Sequence, residues 1–302
     1  MANVSAWISA MRLRTLPLAL SGTLMGSGLA YAQGQFSPSV AIWALLTTLL
    51  LQILSNFAND YGDAQKGVDN AQRIGPRRSV QSGAISAKQM YQAIVTTAVL
   101  CFVCGLALIY ASFGSEKLLY GLVFLLLGVA AIAAAIKYTM GKNPYGYAGW
   151  GDFFVFIFFG IVAVAGTFYL HTHSFQPDIL LPATSIGAFS VAVLNLNNMR
   201  DREQDAQHGK NTLAVKLGAT GAKYYHAFLL ALGFWASAMY MFQHFHSPGQ
   251  FLFVLLLPFW ASQLYKVFVI RQPALLNPLL KQQALSTFFF TLCFLAGLLF
   301  AC

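Results

Sequence analysis

Nine stretches of this chain stay apolar for long enough to cross a bilayer: 16–33, 39–58, 91–113, 117–137, 153–170, 179–198, 224–243, 250–270 and 284–301. A helix needs about 17–25 residues to span the hydrocarbon core, and each stretch meets that length. The connections between them are of two kinds. Those after the first, third, fifth and seventh stretches are short and nearly uncharged. The N-terminus and the connections after the second, fourth, sixth and eighth carry 17 of the 18 Lys and Arg residues, leaving only Lys117 on the other side. Under the positive-inside rule this asymmetry predicts an all-α polytopic membrane protein with nine transmembrane helices, a cytoplasmic N-terminus and an outward C-terminus.

Within that frame the polar residues are unevenly placed. The connections at about 59–90 and 199–223 are the longest and hold six of the nine acidic residues. They also resemble one another. Asn56-x-x-x-Asp60-x-x-Asp63 follows the second apolar stretch, and Asn197-x-x-x-Asp201-x-x-x-Asp205 follows the sixth, with Asp60 and Asp201 141 residues apart. The spacing predicts two four-helix pseudo-repeats plus one added helix, all within one integral-membrane domain over 1–302.

Composition narrows the reading further. With 58% hydrophobic and 9% charged residues, the chain is too apolar for a soluble domain of its length. The net charge of +9 describes one membrane face and its attraction to anionic lipid, so neither a nucleic-acid partner nor a protein partner is expected. Cys101 and Cys104 form a C-x-x-C in mid-helix among apolar neighbours, where they read as packing residues. His171-x-His173 and His244-x-His246 lie on short exterior turns and read as turn residues rather than as a metal site.

The two acidic motifs carry the chemistry. Residues three or four apart share a helix face, so Asn56, Asp60 and Asp63 make one oxygen-bearing stripe and Asn197, Asp201 and Asp205 another. Carboxylates gathered at a membrane face repel each other and are poorly solvated unless a cation neutralises them. Carboxylate and amide oxygens suit Mg²⁺, which binds through few carboxylates and shares its other positions with water and substrate phosphate. Lys66, Arg73, Arg77 and Arg78 lie beyond the first motif, and Arg200, Arg202 and Lys210 flank the second, so a diphosphate would complete the charge balance. A single D-x-x-D ordinarily marks a water boundary. Two copies at one face, each preceded by Asn, favour the metal–diphosphate reading. Aromatic residues make up 15% of the chain and crowd the fifth stretch as "FFVFIFFG". Most are core or lipid-facing, yet a cavity lined by such rings would suit a polyisoprenoid tail and an allylic cation.

These residues resemble the intramembrane aromatic prenyltransferases, the UbiA-type superfamily. Within it, "NFANDYGDAQKGVD", "GPRRSVQSGAIS", "YGYAGWGDFFVFIFFG" and "NNMRDREQDAQHGKNTLAVKLG" resemble the branch that prenylates 1,4-dihydroxy-2-naphthoate in menaquinone biosynthesis. The resemblance implies a nine-helix fold in the bacterial cytoplasmic membrane and Mg²⁺ held by Asn56, Asp60, Asp63, Asn197, Asp201 and Asp205. It also implies polyprenyl diphosphate and 1,4-dihydroxy-2-naphthoate as substrates, joined with loss of diphosphate and CO₂. The four aspartates are the catalytic candidates. Lys66, Arg73, Arg77, Arg78, Arg200 and Lys210 are candidates for the diphosphate, and Lys137, Tyr138 and Tyr145 for the acceptor. Many relatives place Gly-Glu where this chain has Gly151-Asp152, and no residue stands out as the base that deprotonates the acceptor. A 4-hydroxybenzoate acceptor is the nearest alternative. An ion-coupled transporter is the rival from another class, disfavoured because the acids lie at helix ends among arginines rather than at the midplane.

Overall fold

A computed structural model describes residues 3–68 and 74–299. An amphipathic helix α1 (Val4–Met11) leads into α2 (Leu16–Ala32), α3 (Pro38–Gln65), α4 (Ala87–Phe113) and α5 (Leu118–Lys137). Then come α6 (Gly151–Thr172), α7 (Leu180–Gln207), α8 (Leu213–Gln243), α9 (Leu257–Val269) and α10 (Asn277–Leu299). Short 3₁₀ turns at Pro177–Ile179, Pro248–Leu256 and Pro273–Leu276 lead into α7, α9 and α10. Among the described residues eight helices are long and apolar enough to cross a membrane. The first apolar stretch of the sequence falls on α2, which has 17 residues.

The two motif helices α3 and α7 overrun their apolar stretches at the end where the acids lie. The connection expected at 59–90 begins only after Gln65, and the one expected at 199–223 shrinks to 208–212 between α7 and α8. Hydropathy falls where helicity does not, because the polar residues of those last turns face the protein instead of water. Both motif helices are 28 residues long and stop in the same way. Gly67 and Gly209 take a positive φ of 69°, which a side chain would resist. The amides of Val68 and Lys210 then reach back to the carbonyls of Asp63 and Asp205 at 3.1 and 2.8 Å. Each such bond satisfies a carbonyl that the helix end would otherwise orphan.

Burial separates the helices. In the most apolar window of Pro177–Gln207, 72% of residues are buried, against 0% for Leu118–Lys137. Thus α7 is the central post, and α5 is an outer wall. The half built around α7, α8, α9 and α10 is packed solid by Phe189, Phe253, Trp260, Phe290 and Phe294. Two of the histidines are structural: His171, buried in the last turn of α6 rather than on a turn, accepts from the Ser37 amide, and His244 pairs with Asp178 at 2.7 Å.

In α6 the middle of the helix, Phe156–Gly166, widens into a π-helix. Such segments are rare and collect at functional sites. This one is wedged against α7 through glycine. A Cβ at Gly160 would lie 2.6 Å from the Ala183 carbonyl oxygen and 2.7 Å from the Gly187 Cα. Replacing Gly160 with Val therefore forces two backbones apart, an overpacking that costs about 1–3 kcal/mol. A lower unfolding temperature of detergent-solubilised Gly160→Val is expected; an unchanged midpoint would show that α6 and α7 are not locked there.

Candidate functional site

The last turns of α3 and α7 point into one chamber of about 480 Å³, lined by Asp60, Asp63, Asn197, Arg200, Asp201 and Asp205. Arg77, Arg78 and Lys210 line it as well, so carboxylates and cations share one buried space. Asp60 is 1% exposed and Asp205 also 1%.

Each acid has a different neighbour. Asp60 accepts the backbone amides of Ser79 and Val80 at 3.0 and 3.2 Å, which pins the segment after residue 74 over the end of α3. Asp63 accepts the Tyr147 hydroxyl at 2.8 Å. Asp201 takes a two-pronged bond from Nε and Nη2 of Arg200; Nη2 also donates to Asn197 and Nη1 to Asn277, each at 2.8 Å. The planar fork of a guanidinium allows it to serve three partners at once. Asp205 lies 3.5 Å from the Lys210 ammonium, while its Oδ2 is buried without a hydrogen-bond partner.

Against this chamber lies an apolar cavity of about 330 Å³ between α2, α3, α4, α5 and α6. Gln52, Asn59, Tyr138, Val155, Phe159 and Leu194 line both spaces, so the two abut across them. A ladder of rings runs inward from that border: Tyr138 to Tyr145 at 5.4 Å, Tyr145 to Phe154 at 4.2 Å and Phe154 to Phe158 at 6.3 Å.

The motif "YGYAGWGD" builds the cradle of Tyr138. The chain folds back so that Tyr145 N–H and Gly146 N–H donate to the carbonyls of Lys137 and Tyr138. A Cβ at Gly146 would stand 3.2 Å from the Tyr138 ring, and one at Gly151 3.1 Å from its hydroxyl. Only glycine lets backbone lie on both sides of the ring. Burial first, then the charges of Asp152, Asp63 and Asp205, holds the Tyr138 phenol above its ordinary range, so it stays a protonated donor. The Tyr145 hydroxyl is committed to the Ala134 carbonyl at 2.9 Å, and its ring is what faces the cavity.

Some sequence candidates stand elsewhere. Asn56 lines neither space; its amide donates to the Met11 carbonyl and the Thr15 hydroxyl, fastening the N-terminal segment to α3. Lys66 sits 5.0 Å over the Tyr147 ring, outside both cavities. Lys137 is exposed and lines neither. Arg73 lies outside the described residues. The structure also brings in residues the sequence reading passed over. Tyr147 was hidden within the quoted Gly-Tyr motif, and Ser79 and Val80 act through backbone that no side-chain pattern reveals. Gln204 joins α7 to the turn beyond α3 by donating to the Val68 carbonyl at 2.7 Å.

Among the described residues no three His, Cys or acidic side chains converge as a ready cation cage. The donor set still fits Mg²⁺, which needs only one or two carboxylates when phosphate and water supply the rest. Asp205, with its unpartnered buried oxygen, and Asp63 across the chamber are the residues that would hold it.

This arrangement has counterparts. The model of the UbiA prenyltransferase family matches residues 19–293. A 1,4-dihydroxy-2-naphthoate octaprenyltransferase of Escherichia coli K12 is 42% identical, covering 98% of this chain and 96% of its own. One of Haemophilus influenzae is 45% identical, with the same coverage of 98% and 96%. Among solved structures, a UbiA homolog from Aeropyrum pernix K1 in its apo form superposes with a TM-score of 0.64 at 15% identity, over 99% of both chains. Paired acidic helix ends, an abutting apolar cavity and a near full-length sequence match agree: the chain belongs to the UbiA prenyltransferase family.

Proposed function

We propose that the protein transfers a polyprenyl group from polyprenyl diphosphate to 1,4-dihydroxy-2-naphthoate, releasing diphosphate and CO₂ and leaving demethylmenaquinol. What carries this reading is the meeting, at Tyr138, of a cation-rich carboxylate chamber with an aromatic-lined apolar cavity. A prenyl diphosphate has the same two-part chemistry, a multiply charged head on a hydrocarbon tail. The names of the relatives at 42% and 45% identity favour the naphthoate over a benzoate acceptor.

In this reading Arg77, Arg78 and Lys210 hold the diphosphate, and the ring ladder from Tyr138 to Phe158 holds the first part of the tail. Mg²⁺, held by Asp63 and Asp205 with Asp60 and Asp201 behind them, would neutralise charge developing on the leaving diphosphate. The allylic C–O bond breaks with its electron pair leaving on the diphosphate. The tyrosine and phenylalanine faces stabilise the allylic cation. The electron-rich ring then forms the new C–C bond and its carboxylate departs as CO₂. Tyr138, which lines both cavities, is placed against the acceptor. Segments 74–86 and 208–212 cover the chamber and keep water from the cation.

The basic connections set the orientation we propose. With 17 of 18 Lys and Arg on one face, the chamber opens to the cytoplasm of a bacterial inner membrane and α2 serves as the ninth span.

The test is a mass-spectrometric assay of purified, lipid-reconstituted protein with polyprenyl diphosphate, naphthoate and Mg²⁺. A decarboxylated prenyl naphthoquinol that disappears with a chelator is expected. Prenylation of 4-hydroxybenzoate alone would move the protein to another acceptor, and no product from either would sink the reading. Asp63→Asn and Asp205→Asn should each lower kcat by ~10²–10³ with an unchanged unfolding temperature, a loss of the size seen when one charge-stabilising group is removed. Near-normal turnover in both would remove the metal–diphosphate assignment. Asp201→Asn is a different experiment, since it also weakens the main partner of buried Arg200. In Tyr147→Phe the bond to Asp63 is lost. A hydrogen bond to a charged group contributes ~1.5–3 kcal/mol, so a fall in kcat/KM of about tenfold or more is expected. Wild-type kcat/KM there would show that Tyr147 does not position Asp63.

A further inference from the structure

Asp152 is the acid for which neither the chamber nor the fold provides a use. It lies in the first turn of α6 and is 7% exposed, and its Oδ1 is buried with no hydrogen-bond partner. It lines neither cavity. Tyr225 of α8 is one polar neighbour of the carboxylate. An acid kept this dry with an oxygen unsatisfied is costly, and a burial of that kind is ordinarily retained for function.

Its other neighbour is Tyr138. The Tyr138 hydroxyl stands 3.1 Å from the Cβ position of Gly151, the residue next to Asp152 in the chain. Of the charges acting on that phenol, Asp152 is the foremost, ahead of Asp63 and Asp205. The hydroxyl makes no hydrogen bond with the described residues, while the ring is fixed between Gly146 and Gly151. Tyr138 therefore stands between the joined cavities and a buried carboxylate.

The other acids are poorly suited to receive a proton. Asp60 is held by two amides, Asp63 by Tyr147, Asp201 by Arg200 and Asp205 by Lys210. The ionisable groups facing this corner are Tyr138 from the end of α5, Tyr145 and Lys216 beside the turn before α6, Tyr225 from α8, Asp63 from α3 and Asp205 from α7. Asp205 also keeps an oxygen unpartnered, but it lines the chamber beside Lys210; among the described acids Asp152 alone has such an oxygen behind the cavity walls, on the side where the Tyr138 hydroxyl lies.

We propose that Asp152 is a positioning base, drawing the proton of an acceptor hydroxyl through Tyr138 while the ring attacks, and returning it to the product. This rests on the naphthoate reading above. The acceptor hydroxyl passes its proton to the Tyr138 oxygen as the Tyr138 proton passes to Asp152 Oδ1. The oxygen lone pair drives the ring onto the allylic carbon. After CO₂ leaves, its bonding pair restores the aromatic ring, and the proton returns by the same route to give the quinol. No proton is gained or lost overall, and no oxidant is needed.

The experiment compares wild type, Asp152→Asn and Asp152→Glu in the reconstituted system, following prenyl naphthoquinol across pH. Asp152→Asn should lose about 10²-fold in kcat, the usual worth of a positioned acid or base, with both KM values and the unfolding temperature unchanged. It should also lose the acidic limb of the kcat/KM profile. Asp152→Glu should restore that limb and most of the rate. Wild-type kcat in Asp152→Asn overturns the inference, and so does a raised KM with an intact acidic limb, which marks a structural role. Wild type that turns over while Asp152→Asn matches it defeats this inference alone; wild type that forms no prenyl naphthoquinol defeats the functional reading with it.

Discussion

Four aspartates in one buried chamber at the end of a membrane bundle would drive each other apart, and the surrounding structure is arranged around their balance. Each is answered by a different device: backbone amides for Asp60, a phenol for Asp63, a guanidinium for Asp201 and an ammonium for Asp205. These devices come from distant parts of the chain. Ser79 follows α3, Tyr147 precedes α6, Lys210 precedes α8, and Asn277, which holds Arg200 in place, opens α10. The same contacts that neutralise the acids therefore tie the polar end of the bundle together. Charge balance and tertiary closure are one constraint here.

The elements carried by periodicity and hydropathy were legible in the sequence, as were the acids carried by spacing. The two motif helices, their shared face and their common chamber follow from Asn-x-x-x-Asp read at helical period. Helix ends were less visible, because hydropathy drops at Asn56 and Asn197 while the helices run on to Gln65 and Gln207. Asn56 shows a second limit. Spacing places it on the acidic face, but at its depth the nearest polar groups are those of Met11 and Thr15, and it bonds to them. Tyr147 was out of reach for another reason. It meets Asp63 across 84 residues, a contact that only the folded loop creates.

The two motif helices share their length and their glycine stops, but the halves of the bundle around them differ inside. Around α7 to α10 the aromatic residues interlock: Phe189 lies 4.4 Å from Trp260 and 4.9 Å from Phe290, ring centre to ring centre. Around α2 to α6 comparable space is left open, and small residues such as Ala19, Ala44, Ala131 and Ala135 line it. A close-packed half has low compressibility, so the solid half serves as a fixed back wall. The π-helical stretch of α6 stands at the seam, with Gly160 against α7 and Phe159 facing both cavities.

The outer wall α5 has a thermodynamic consequence. None of its most apolar window is buried, yet Gly128, Ala131 and Ala135 line the cavity, so the wall toward lipid is one helix thick. Along α3 the cavity runs from Asn59 to Ala44, about 22 Å at the rise of an α-helix. Isoprene units beyond that reach exchange one hydrocarbon surrounding for another. Their transfer contributes almost nothing, because lipid tails solvate them as well as leucine does. Binding strength then saturates with tail length, so a pocket of this reach has little to distinguish a longer isoprenoid from one that already fills it.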